Sequence, residues 1–352
     1  KSYIGFLSFG FLSLLVASNI IESLIVLSQF INFFIAYILI LNLSKNSKIN
    51  FLNIFISFTL IGLFLESYNI NSKIYESIVT NGDVLRRSLD FRGFAGNPNI
   101  SSFALAIKIP VVIYLIFKIK NIYKLSVLYM LLSFSTLTIF LLFSRAAILV
   151  MVLIVFFTCL FIILNRRKEY ILKGAMFFAA IIVSAGLYSS LNDKNTSDII
   201  KDRFSNVTSP QNDDSVNERL GFYKIATEDI INNPILGIGI GNWKLKSIPR
   251  ANKFLRDYRV PYRAHNDFLE ITAEIGIIGA VCFIYFIFYP FILSFRSMIS
   301  KKELGLSFPL FLIIGVYIFD SLFNFPMQRP VNFMFLIFAF ALFDLAKFKK
   351  LL

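Results

Sequence analysis

The sequence predicts an all-α polytopic membrane protein, on three observations. Of 352 residues, 57% are hydrophobic and 16% aromatic, with 42 Phe, and the mean hydropathy is +0.72, more apolar surface than a soluble domain needs. The apolar residues come in continuous runs, such as YIGFLSFGFLSLLVASNII over 3–21, longer than the roughly 18 residues that mark a spanning helix. The basic residues gather in alternate short connections. Continuous rather than alternating runs exclude a transmembrane β-barrel. Once its residues are located, the net charge of +14 reports topology and not nucleic-acid binding.

Ten spans follow in order, near 3–21, 24–43, 51–68, 99–117, 125–143, 146–164, 171–191, 267–295, 305–324 and 331–348. The first is no signal peptide, because it has neither a basic stretch ahead of it nor a small-residue cleavage site. The chain opens on Lys1 instead of Met, so upstream sequence is expected. Alternate connections hold Lys1; Lys45 and Lys48; Lys118, Lys120 and Lys124; Arg166, Arg167, Lys168 and Lys173; Arg296, Lys301 and Lys302; and Lys347, Lys349 and Lys350, against only Glu169 and Glu303. The positive-inside rule places these in the cytoplasm, the C-terminus with them.

The chain then divides into a seven-span region over 1–191 with an outer loop at 69–98, a large outer loop over 192–266, and a three-span region over 267–352. The large loop starts with NDKNTSDIIKDRFSNVTSPQNDDSVNER, polar enough to be solvent-exposed. In ERLGFYKIATEDIINNP the residues Leu220, Tyr223, Ile225, Ala226 and Ile230 fall at helical spacing. They predict an amphipathic helix at the outer membrane surface, ended by Asn233-Pro234.

Chemistry is expected on this outer face. Cys159 and Cys282 both lie in apolar runs, suggesting neither a disulfide framework nor a metal site. One histidine without a Cys/His cluster makes a catalytic zinc unexpected, and no metal or cofactor is predicted. That histidine, His265, sits in RAHND ahead of the eighth span. A lone imidazole is most simply a packed structural group. Here Asp267 and Glu270 read as a capping box, which puts His265 just before a helix start. There the macrodipole favours anions and keeps an imidazole neutral, as a proton acceptor must be. Arginines share this face: Arg145 in a very short turn, Arg219 opening the amphipathic helix, Arg263, and Arg86, Arg87 and Arg92 in the first outer loop. Each is an interfacial anchor or a phosphate ligand by its fork geometry.

Other signals carry less. GIGIGNW over 237–243 follows no strand, so it is read as a turn whose backbone approaches a lipid headgroup or glycan, not as a nucleotide fingerprint. Trp243 reads as an interfacial anchor. Gly276 and Gly279 read as helix-packing positions. Glu274, about 10 Å into the eighth span, is expected to partner Arg145 or Arg219. Asp320 and Arg329 near the last outer turn are expected to line the same cavity.

These residues resemble the O-antigen ligase and polymerase superfamily of bacterial inner-membrane glycan transferases. The resemblance rests on HNDFLEITAEIGIIG, NERLGFYKIATEDIINNPILGIGIGNW, FSRAAI and FRGFAGNPNISSFALA, four elements in family order over roughly 91–279. It implies metal-independent, inverting transfer of a glycan from undecaprenyl diphosphate to a hydroxyl, with the active site on the periplasmic face and the lipid bilayer as its medium. By the same resemblance His265 activates the acceptor hydroxyl and Arg145 and Arg219 hold the diphosphate. Further substrate contacts are expected at Arg92, Asn97, Asn99, Tyr223, Asn266 and Glu270. The family commonly has about a dozen spans, so two more are expected ahead of Lys1. A ligase acting on lipid A–core oligosaccharide is preferred. A polymerase, a protein O-glycosylating relative and, from another class, a secondary transporter or lipid flippase stand as alternatives.

Overall fold

A computed structural model describes residues 1–46, 50–81, 93–190, 214–251, 261–301 and 304–348. Among them every regular element is a helix, as expected of an all-α polytopic membrane protein. Seven segments are long and apolar enough to cross a membrane: Ile20–Lys45, Phe51–Glu76, Pro98–Lys118, Ile122–Leu141, Arg145–Asn165, Lys168–Ser190 and Asp267–Ser300. Three shorter apolar helices, Ser2–Val16, Ser307–Ser321 and Pro330–Ala346, occupy the other predicted positions. The outer-loop arginines Arg86, Arg87 and Arg92, the last of them an expected substrate contact, lie outside the described residues, as does most of the polar start of the large loop.

Two compact units divide the chain. One comprises Asn46–Ile200, Phe291–Asp320 and Leu342–Leu352. It holds helices α3 (Phe51–Asn81), α4 (Pro98–Ala106), α5 (Ile109–Lys118), α6 (Ile122–Leu141), α7 (Arg145–Asn165) and α8 (Lys168–Ser190). The single span predicted over 99–117 is therefore two helices. The ring of Pro110 clashes with the carbonyl of Ala106 and has no N–H to donate to it, so α4 stops there. At the break, Lys108 Nζ donates to Ala104 O at 2.7 Å and Glu66 Oε2 at 2.9 Å. Charges in hydrocarbon are stable only when paired in this way. Lys173, one of the predicted cytoplasmic cations, is buried. Its ammonium donates to Phe117 O at 3.0 Å and Ile119 O at 2.7 Å, neutralising the C-terminal end of α5.

The other unit comprises Lys1–Lys45, Lys201–Pro290 and Ser321–Ala341. Its helices are α1 (Ser2–Leu12), α2 (Ile20–Asn46), α9 (Asp214–Asn232), α10 (Trp243–Ala251), the first part of α11 (Asp267–Lys301) and most of α13 (Pro330–Phe348); α12 (Ser307–Ser321) lies in the first unit apart from its last residue. Phe6 meets Phe30 and Phe283, and Phe30 meets Phe333, in a buried aromatic core. The span predicted over 3–21 is cut short. After α1 a 3₁₀ turn covers Ser13–Val16 and Ala17 is extended. Ser13 Oγ donates to Gly10 O at 2.7 Å and accepts from Ile240 N at 3.0 Å. The interruption receives the glycine-rich segment that follows α9.

Helix α11 is likewise not continuous. Gly276 has φ 77° and ψ 173°, and the segment after α9 fills the break. Ile238 N donates to Ala273 O at 2.9 Å, Gly239 N to Glu274 O at 2.9 Å, and Ile277 N to Pro234 O at 2.8 Å. Backbone groups left without partners in hydrocarbon would cost several kcal/mol each, on the order of the transfer penalty of a lone amide. Both glycines are sterically required: a Cβ on Gly276 would lie 2.1 Å from Ile235 O, and one on Gly237 2.4 Å from the Glu274 carbonyl carbon. So GIGIGNW brings its backbone against α11 and the α1–α2 turn, not against a headgroup or glycan. Gly276 serves a backbone break instead of helix packing. Gly279 does meet the packing expectation, facing Phe9 of α1.

Candidate active site

The site is built on the N-terminal end of α11. Asn266, not Asp267, provides the cap: its Oδ1 accepts from Phe268 N and Leu269 N, both at 3.1 Å. Asp267 is fully buried, and its Oδ2 accepts from Met327 N at 2.9 Å and Ser321 Oγ at 3.3 Å. Glu270 completes no capping box either. Its carboxylate is fully buried, taking Arg263 Nη1 at 2.9 Å on Oε1 and Ala264 N at 2.7 Å on Oε2. Both oxygens are engaged in holding residues 263–264, directly ahead of the histidine. Against burial, the Glu270 charge keeps the Arg263 guanidinium above its ordinary value.

His265 itself has φ 57°, a left-handed conformation sparsely populated by residues other than glycine and one that concentrates at functional sites. Its ring lies between two aromatics. Phe222 of α9 is near-parallel at 6.2 Å and Phe325 is edge-on at 5.0 Å. Nδ1 is buried without a hydrogen-bond partner. Its carbonyl accepts from Tyr223 Oη at 3.1 Å, and the same hydroxyl reaches Leu322 O at 3.1 Å. Burial, and after it the charge of Arg219, push the imidazole down to about 4. It is therefore neutral at ordinary pH, and aromatic packing in place of a hydrogen bond on Nδ1 sets its orientation. Burial raises the Tyr223 phenol, with Arg219 again acting in the opposite direction. One guanidinium thus lies within electrostatic reach of both groups.

Beneath these residues α9 buries Phe222, Ile225 and Ala226 against Ile238, Trp243, Ala264 and Ala273. The expected apolar face is rotated: Leu220 is exposed and Phe222 takes its place. Trp243 is no interfacial anchor, being fully buried with its ring edge-on to Phe222 at 6.1 Å. Glu274 is also fully buried and does not pair with Arg219. Its Oε1 accepts from Trp243 N at 3.1 Å. Arg250 makes a two-pronged pair with Asp229, at 2.9 and 2.6 Å, fastening α10 to α9.

Of the expected residues, then, Arg219, Tyr223, Asn266 and Glu270 surround His265 within one unit. Arg145, Asn97 and Asn99 belong to the other. Asn97 caps α4 through Asn99 N at 2.9 Å and Ile100 N at 3.4 Å, and Arg145 is the first residue of α7 after the cap Ser144. Sequence reasoning missed both rings that hold the imidazole. Phe222 was findable, since it shares helical spacing with Ile225, Ala226 and Asp229. Phe325 sits in NFPMQRP, where no periodicity marks it. Among the described residues no three His, Cys, Asp or Glu gather as a metal would require.

A model of the O-antigen ligase family matches residues 104–284. Over 111 residues the chain is 30% identical to a Rickettsia conorii protein whose name is that of a polysaccharide ligase, a match taking in 29% of this chain and 26% of that protein.

Proposed function

Because the chain belongs to the O-antigen ligase family, we propose that it moves a glycan from undecaprenyl diphosphate to a hydroxyl of lipid A–core oligosaccharide, at the periplasmic face of a bacterial inner membrane. The observation that carries this reading is the neutral imidazole of His265, held by rings, sealed at Nδ1, with Arg219 acting on it.

In the proposed step the acceptor hydroxyl gives its proton to Nε2 as its oxygen bonds to the anomeric carbon. The bond from that carbon to the diphosphate oxygen breaks, on the opposite face, so configuration inverts. The departing electron pair stays on the diphosphate. Guanidinium groups can take up the charge that develops there without a metal, and a positioned base contributes typically about 10²–10⁴-fold. Arg219 is the diphosphate ligand beside the base, and the resemblance of FSRAAI assigns Arg145 the same role. Glu270 and Asn266 position the histidine and its helix; Tyr223 fixes the histidine's carbonyl.

The test is transfer in reconstituted membranes from undecaprenyl-diphosphate-linked glycan to lipid A–core, comparing wild type with His265→Ala at equal expression. Product from wild type and none from the variant is expected. Ladders of longer lipid-linked glycan instead would make the chain a polymerase, and equal product from both would return His265 to a packing role.

A further inference from the structure

Arg329 follows a short 3₁₀ turn, Pro326–Gln328, and its guanidinium lies 5.0 Å over the ring of Phe325. That ring is the one set edge-on to His265, so the cation is one aromatic ring away from the imidazole. Its position is built, not incidental. The segment before it is tied to α11 by Ser321 Oγ and Met327 N on Asp267, and by Gln328 Nε2 on Glu270 at 3.5 Å. Tyr223 adds its bond to Leu322 O, and Arg329 N donates to Pro326 O at 3.1 Å.

The charge balance around it is incomplete. Glu270 is engaged by Arg263, Ala264 and Gln328, and Asp267 by the backbone and Ser321. Ion pairs of this unit join Lys244 to Glu22, Arg250 to Asp229 and Arg263 to Glu270; among the described residues no carboxylate forms one with Arg329. Burial, and then the neighbouring Arg263 charge, depress its guanidinium. A partly buried cation beside a second cation, fixed in place and without an acid, is suited to an anion. The planar fork of arginine fits a phosphate, which it can take in two parallel hydrogen bonds.

We infer that Arg329 is a further binding residue of this site, taking a phosphate group of a substrate beside the ring stack of His265. The inference rests on the glycan-transfer reading. The phosphate belongs either to the lipid-linked donor or to a phosphorylated acceptor glycolipid, and the two are separable.

The full chain in lipid nanodiscs would be titrated with undecaprenyl diphosphate, with undecaprenol, and with the acceptor glycolipid before and after phosphatase treatment. Arg329→Gln should weaken a phosphate-bearing ligand about ten- to a hundredfold, the loss expected for one charged hydrogen-bonded contact. Undecaprenol, the dephosphorylated acceptor and the thermal midpoint should be unchanged. Arg329→Lys, a point charge without the fork, should fall between. Loss confined to undecaprenyl diphosphate assigns the donor, and loss confined to the phosphorylated acceptor assigns the acceptor. Equal weakening of phosphorylated and neutral ligands would mean a packing role and overturn the inference. So would wild-type affinity of Arg329→Gln for both the donor and the phosphorylated acceptor where Arg219→Gln binds the donor poorly, a result that leaves glycan transfer standing. If wild type does not distinguish undecaprenyl diphosphate from undecaprenol, the transfer reading falls and this inference with it.

Discussion

His265 combines a left-handed backbone, two flanking rings and a sealed Nδ1, and its surroundings govern its proton. Burial first, and Arg219 second, bring it to about 4 from an ordinary value near 6.5. The base form is therefore present above about pH 4 and is lost as pH falls through that value. A diphosphate bound to Arg219 would cancel part of the second cause and raise the imidazole toward working pH, where a base is most effective. Transfer rates should accordingly show an acid limb at higher pH when donor is saturating than when it is limiting. Rate profiles at the two donor concentrations measure this, and superimposable limbs would remove Arg219 from the account. The sequence alone put a neutral imidazole ahead of a helix start but credited the macrodipole. Burial is the larger cause, and it depends on Phe222 and Phe325, which are distant in the chain from His265 and from each other.

At the scale of elements, the decisive feature is the docking of residues 234–239 into the break of α11 at Gly276. Replacing Gly276 by Ala adds backbone strain and a Cβ 2.1 Å from Ile235 O, together on the order of 3 kcal/mol or more. The expected outcome is loss of folded protein by size-exclusion profile and thermal midpoint. Gly186 of α8, where an added Cβ would meet nothing within 4 Å, is the control: Gly186→Ala should be neutral or stabilising by about 0.5–1 kcal/mol. Existence of the apolar helices was legible from their runs, because hydrophobic thickness sets their length, and that of α9 from its spacing; α10, in WKLKSIPRA, has no apolar run and was not predicted. The interruptions were not, with one exception. Pro110 announces the α4–α5 break by its missing N–H. The breaks at Ser13–Ala17 and Gly276 exist because the segment following α9, far from both in the chain, supplies their hydrogen-bond partners.

For the whole molecule, the alternation of basic connections makes a prediction independent of any side-chain geometry. With Cys159 and Cys282 replaced, a cysteine at Lys194 should react with an impermeant maleimide in intact cells, and one at Lys301 only after permeabilisation. The reverse pattern would invert the proposed topology and move the site to the cytoplasm. By itself the sequence determined the all-α membrane class, the ten apolar segments, the candidate histidine and the arginine that acts on it. These follow from composition, span length and short motifs, which are local properties of the chain. Only the tertiary structure decided that Trp243 and Glu274 are buried, that Glu270 serves Arg263 and the backbone, and that Arg329 stands beside the ring stack. Those outcomes depend on which distant groups satisfy one another's hydrogen bonds and charges once water is excluded, and no spacing along the chain encodes that pairing.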